Sequence, residues 1–131
     1  MARILLADDD AASLEVMNVA LTAQGHEVFC ASDGREAYEL ALKEKPDLVF
    51  LDVIMPVADG YEACQLIRND PEIRPDMPVV FLTSMDADRK RLEQVGATDY
   101  LSKRHVVAEV QDMLVKHLGP AANPSPRTRK R

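Results

Sequence analysis

Apolar and polar positions along this chain fall into blocks. Ile4-Leu5-Leu6-Ala7 is a short apolar run that ends on Asp8-Asp9-Asp10. Leu14, Met17 and Leu21 follow at helical spacing, with Val16 and Ala20 beside them, and predict an amphipathic helix. Gly25 supplies a left-handed stop. His26 to Ala31 predicts a second strand, Asp33-Gly34 a turn, and Ala37, Leu40 and Ala41 the inner side of a second helix that Pro46-Asp47 breaks. Leu48-Val49-Phe50-Leu51 predicts a third strand ending at Asp52. The loop from Val53 to Gly60, with turn signals at Pro56 and Asp59-Gly60, leads into a short helix over Tyr61 to Arg68. Pro71 and Pro75 mark a surface loop, after which Val79-Val80-Phe81-Leu82 predicts a fourth strand ending at Thr83. Ala87 to Val95 predicts a polar helix closed by Gly96. Asp99 to Ser102 predicts a fifth strand ending at Lys103, and Val107, Val110 and Leu114 line a last helix.

Strands alternating with helices predict the α/β class, with parallel strands joined by helical crossovers. Continuous apolar strands agree, because a parallel sheet is covered on both faces. Gly, Pro, Ala, Ser and Arg dominate from Gly119 onward, so the expected organisation is one domain over 1–118 and a flexible basic tail or linker remnant over 119–131.

Composition narrows this picture. A length of 131 residues suits one domain that folds without disulfides or a structural metal. Aromatics make up 5% and Trp is absent, so aliphatic side chains must build most of the core. No apolar stretch is long enough for a membrane span, and the start of the chain lacks a secretory pattern, which makes a cytoplasmic location the default expectation. Cys30 and Cys64 show no metal or redox spacing and read as small buried hydrophobes. The net charge is −6 although Arg127, Arg129, Lys130 and Arg131 crowd the tail, so the body is more acidic still. Such a body argues against nucleic-acid binding and suits a cation or a basic partner.

The informative feature is where the strands end. Four of them end on residues able to do chemistry: Asp8-Asp9, Asp52, Thr83 and Lys103. In open α/β sheets ligands bind beyond the carboxyl ends of the strands, so these residues converge there. Taken singly, each has a plainer reading: Asp8 to Asp10 as a helix cap, Thr83 as a cap, Lys103 as a solvated lysine. Their coincidence at one sheet edge is the signal. Clustered carboxylates need a cation or a shared proton. Mg²⁺ prefers hard oxygen ligands, and a carboxylate beside it is a competent nucleophile toward phosphorus. Lys103 can pair with one phosphoryl oxygen and Thr83 can donate to another.

These residues lie within stretches that resemble the receiver domain of bacterial two-component response regulators: Ile4 to Asp10, Asp47 to Pro56, Asp59-Gly60, Val79 to Ser84 and Gly96 to Lys103. The resemblance covers Arg3 to about Leu118. It implies a flavodoxin-like, doubly wound (βα)5 fold with sheet order 2-1-3-4-5. It implies Asp52 as the phosphoacceptor, Mg²⁺ held by Asp9 directly, by Asp8 mainly through water and by the backbone carbonyl of Ile54, and Asp10 as no ligand. Thr83 and Tyr100 would form the switch, Thr83 moving toward the phosphoryl group and Tyr100 swinging inward; the plainer reading of Tyr100 is strand packing. The implied partners are a sensor histidine kinase or histidine phosphotransfer protein and a downstream protein target. In some members a second copy docks through the switch face. No turnover of an external substrate is implied, so the domain would catalyse only its own phosphorylation and dephosphorylation.

Two departures carry expectations of their own. Arg104 stands where the family has proline, and because a non-proline cis peptide costs about 2.5–4 kcal/mol the bond after Lys103 is expected to be trans. The span from Thr83 to Gly96 is short, which predicts a shortened or displaced fourth helix. Ile54 and Met85, two residues beyond Asp52 and Thr83, would flank the path of an attacking water and slow loss of the phosphoryl group. Two other functions use similar residues: a phosphorylation-independent pseudo-receiver scaffold, and a haloacid-dehalogenase-type enzyme with Asp8 as nucleophile and Asp10 two residues on. Ala12 stands where that second family has Thr or Val, and no cap domain is present.

Overall fold

A computed structural model of the chain describes residues 2–55, 57–83 and 89–119, with the side chains of 105–107 left aside. Five parallel strands, β1 (Arg3–Ala7), β2 (Glu27–Ala31), β3 (Leu48–Asp52), β4 (Val79–Thr83) and β5 (Asp99–Ser102), form one sheet in the order β2-β1-β3-β4-β5. The helices are α1 (Ala11–Ala23), α2 (Gly34–Glu44), α3 (Gly60–Asn69), α4 (Arg89–Gln94) and α5 (Val106–Leu118). This is the flavodoxin-like arrangement expected from the alternation and the resemblance. Expectations on Pro56, Ser84, Met85, the start of α4 at Ala87 and the tail from Pro120 fall outside the described residues.

Side chains alternate along each strand, so the sheet separates two cores. Leu5, Val49, Leu51, Val79 and Phe81 pack with Ala37 and Ala41 of α2, Cys64 and Ile67 of α3 and Leu92 of α4. Ile4, Leu6, Leu48, Phe50, Val80 and Leu82 pack on the other face with Met17 and Leu21 of α1 and Val110 and Leu114 of α5. Helices on both faces explain why these strands are apolar throughout.

Three aspartates start helices. Asp10 accepts from the Ala12 N–H, Asp33 from the Glu36 N–H and Asp59 from the Glu62 N–H. The two Asp-Gly pairs are therefore helix starts rather than the free turns expected. Their glycines are required by close approach: a Cβ on Gly34 would lie 1.9 Å from the Ala58 carbonyl oxygen, and one on Gly60 2.1 Å from that of Asp52. Gly25 and Gly96 do take left-handed stops, at φ of 90° and 89°.

Some local expectations fail for tertiary reasons. Cys30 is exposed, because β2 is an edge strand that the helices cover incompletely; Cys64 is buried as expected. Val16 does not join the buried stripe of α1 but stands exposed with Val19, since only Met17 and Leu21 point squarely at the sheet. His26 precedes β2 rather than opening it, and its buried ring accepts a hydrogen bond at Nδ1 from the Ala2 N–H. Both cysteines are free, and no described helix is long and apolar enough to cross a membrane.

Candidate functional site

The β1, β3 and β4 ends bring Asp8, Asp52 and Thr83 to one edge of the sheet. Asp8 follows β1 and is 1% exposed; Asp52 and Thr83 close their strands and are each 7% exposed. They are buried because the pairing that aligns Ala7 with Leu51 and Asp52 with Leu82 sets the strand ends level under the connecting loops. Asp9 is exposed beside them. Oxygens of Asp8, Asp9 and Asp52 all lie within 4.8 Å of one another, the spacing of a donor set for one hard cation. Asp10 turns away: its carboxylate accepts from the Ala12 N–H and the Ser13 hydroxyl, so it caps α1.

Lys103 reaches the cluster. Its Nζ lies 2.9 Å from Asp8 Oδ2 and 3.1 Å from Asp52 Oδ2. The departure at Arg104 is accommodated locally. No cis peptide occurs among the described residues; Lys103 to His105 form a single 3₁₀ turn, and the Arg104 N–H, which proline would lack, donates to Ser102 Oγ. Asp8 is fixed in turn, its Oδ1 accepting from the Asp10 N–H at 2.9 Å.

The electrostatics follow from this crowding. Burial, above all, pushes the Asp52 carboxyl up to about 6; the Lys103 hydrogen bond pulls it down and the charge of Asp8 pushes it up again. For Lys103, burial works against the ammonium, but its bonds to Asp8 and Asp52 outweigh that and hold it above its ordinary value. Two carboxylates around one ammonium leave excess negative charge in a low-dielectric pocket, which a divalent cation would relieve.

The loop after β3 exposes Ile54 at 71% and Val57 at 80% next to this pocket. Tyr100 is half-buried in β5 and Arg89 lies 5.4 Å over its ring; Arg91 lies 4.1 Å over Tyr61. Arg68 donates to the carbonyls of Pro75, Met77 and Gly96 and to Thr98 Oγ1, tying the loop before β4 to the loop before β5. None of these arginine contacts was legible in the sequence, because each joins residues distant along the chain whose spacing carries no pattern.

Residues 4–115 match the family model described as the response regulator receiver domain. The response regulator PleD of Caulobacter vibrioides is 39% identical over 104 residues, covering 78% of this chain and 23% of PleD, so the chain spans about a quarter of that relative. Among solved structures, the receiver domain of the Pseudomonas aeruginosa sensor histidine kinase PA1611, with magnesium coordinated in its active-site cleft, superposes with a TM-score of 0.82 at 32% identity, over 90% of this chain and 98% of that one. The BeF3-activated receiver domain of Klebsiella pneumoniae RstA gives 0.77 at 33% identity, over 88% and 97%.

Proposed function

The chain belongs to the response regulator receiver domain family, and from that membership we propose that it accepts a phosphoryl group on Asp52 in a Mg²⁺-dependent reaction and thereby changes its protein contacts. The observation that carries this reading is the juxtaposition of Asp8, Asp9 and Asp52 within 4.8 Å with the Lys103 ammonium among them. Asp8, Asp9, Asp52 and the backbone carbonyl of Ile54 would hold the magnesium, Asp9 directly and Asp8 mainly through water. Bound there, the metal would supply charge neutralisation for the transferring group. Asp52 Oδ attacks phosphorus, the donor's P–N or P–O bond breaks, and the leaving group takes its electron pair. Lys103 then exchanges its contact with Asp52 for one with a phosphoryl oxygen. Thr83 donates a hydrogen bond to another oxygen, and Tyr100 moves with it.

The phosphodonor would be a sensor histidine kinase or a histidine phosphotransfer protein, and the readers downstream protein targets, or a second copy meeting the switch face. The acidic body argues against nucleic acid as a direct ligand. The domain would act in the cytoplasm and turn over no external substrate, with residues 119–131 as its tail or linker. The intact set of site residues disfavours the pseudo-receiver scaffold, and the capping role of Asp10 disfavours a dehalogenase-type acid. Incubation with a small acyl phosphate, with and without Mg²⁺, followed by intact-mass measurement, tests the proposal. One added phosphoryl group that requires Mg²⁺ supports it; no mass gain leaves the scaffold reading.

The raised pKa of Asp52 gives a second test. Folding lifts it above the ordinary carboxylate value, so the folded state binds more protons than the unfolded one between about 4 and 6. Metal-free protein should therefore lose stability as pH rises through that window, by on the order of 1–3 kcal/mol, relative to Asp52→Asn, which cannot titrate there. Thermal denaturation of both proteins in chelator across pH checks this, and a difference that does not grow with pH would contradict it. Mg²⁺ should restore the loss at neutral pH.

Ile54 is apolar and exposed beside the pocket, so water should reach the acyl phosphate slowly. The phosphorylated protein in Mg²⁺ should persist for minutes or longer when followed by mass. A half-life of a few seconds would refute this shielding.

A further inference from the structure

Helix α4 is the least anchored helix among the described residues. It spans only Arg89–Gln94 and buries one side chain, Leu92. Its remaining attachments include two aromatic ones. Arg89 lies over the ring of Tyr100 on β5 and Arg91 over the ring of Tyr61 on α3. Residues two apart leave a helix from opposite flanks, so the two arginines clasp α4 from both sides. Tyr100, with Arg89, Leu92, Glu93, Thr98 and Asp99, lines an open groove of about 180 Å³.

We propose that Arg89 is a positioning residue that holds Tyr100 in its resting place and so sets how readily the domain switches. The inference rests on the reading above, in which Tyr100 moves when Asp52 carries a phosphoryl group. A guanidinium over a ring face is attracted by the ring's quadrupole. That attraction exists only while the ring lines the groove. When the ring turns inward it leaves Arg89 behind, so the contact belongs to one state and biases the equilibrium against the other. Arg91 lies instead over Tyr61, which packs on Phe81 at a centroid distance of 5.6 Å and is not one of the two residues of the proposed switch. An exposed cation–π contact corresponds to a two- to fivefold change in an equilibrium constant.

The test titrates the full chain in Mg²⁺ with beryllofluoride, a phosphoryl mimic, and reads occupancy by NMR. Arg89→Gln should bind it two- to fivefold more tightly than the parent, whereas Arg89→Lys, which keeps a cation, should stay closer to the parent. In a Tyr100→Leu background Arg89→Gln should change nothing. An unchanged or weaker affinity in Arg89→Gln overturns the inference, as does an equal gain in the Tyr100→Leu background. Binding in all variants with no Arg89 effect leaves the acceptor reading standing and removes only this inference. No beryllofluoride binding and no acyl-phosphate mass gain in any variant overturns both.

Discussion

Asp52→Asn should abolish phosphoryl labelling completely while leaving the protein folded. Asparagine keeps the shape of the side chain in a pocket where Asp52 is only 7% exposed, so the core of the site is not disturbed. An amide lacks the nucleophilic oxygen that forms an acyl phosphate. Lys103 keeps Asp8 as a partner at 2.9 Å, so its ammonium is not stranded. One buried carboxylate fewer also removes the desolvation cost, and with it the repulsion from Asp8, that together keep the Asp52 proton on to about pH 6, so the metal-free variant should melt no lower than the parent at neutral pH. Asp8→Asn should behave differently, slowing labelling and weakening Mg²⁺ binding without removing the acceptor. Intact mass after acyl phosphate treatment separates the two. Persistent labelling of Asp52→Asn, or its complete loss only in Asp8→Asn, would move the nucleophile to the first strand.

Gly60→Ala should cost more stability than any other single-methyl addition at a described glycine outside Gly34. The new Cβ would lie 2.1 Å from the Asp52 carbonyl oxygen and 3.0 Å from Val53 Cα, and backbone cannot swing aside as a flexible side chain can. Overpacking of this kind costs about 1–3 kcal/mol or more. Gly25→Ala is the contrast. Nothing lies within 4 Å of its Cβ, but φ is +90°, so only the left-handed conformation is penalised, by about 1–2 kcal/mol. Denaturant unfolding of both variants gives the comparison, and Gly60→Ala as stable as Gly25→Ala would refute the close approach. The clash falls on Asp52, the proposed acceptor, so the surviving folded fraction should also label poorly.

The architecture was legible because parallel sheets impose a simple pattern. Ile4 to Ala7, Leu48 to Leu51 and Val79 to Leu82 are apolar throughout, and each is followed by a polar residue, so both the strands and the shared edge could be read off directly. The candidate site residues were legible for the same reason: Asp8, Asp52, Thr83 and Lys103 are marked out by their place at strand ends. What escaped depends on neighbours far along the chain. Cys30 was expected inside, but the edge position of β2 leaves it exposed. The glycines after Asp33 and Asp59 looked like turn formers, whereas their role is set by the Ala58 and Asp52 carbonyls pressing against them. The contacts of Arg68, Arg89 and Arg91 left no mark in the sequence pattern, and their partners became visible only once the helices were in place.

The sheet is also a partition. Leu5 and Leu6, like Val49 and Phe50, are neighbours in the chain but belong to different packing compartments. A change of volume on one side is absorbed by residues of that side, since well-separated sites without shared partners act independently. The compartment under α2, α3 and α4 can therefore be recomposed without renegotiating the α1 and α5 side. Both compartments keep only one common obligation, to hold the strand ends level.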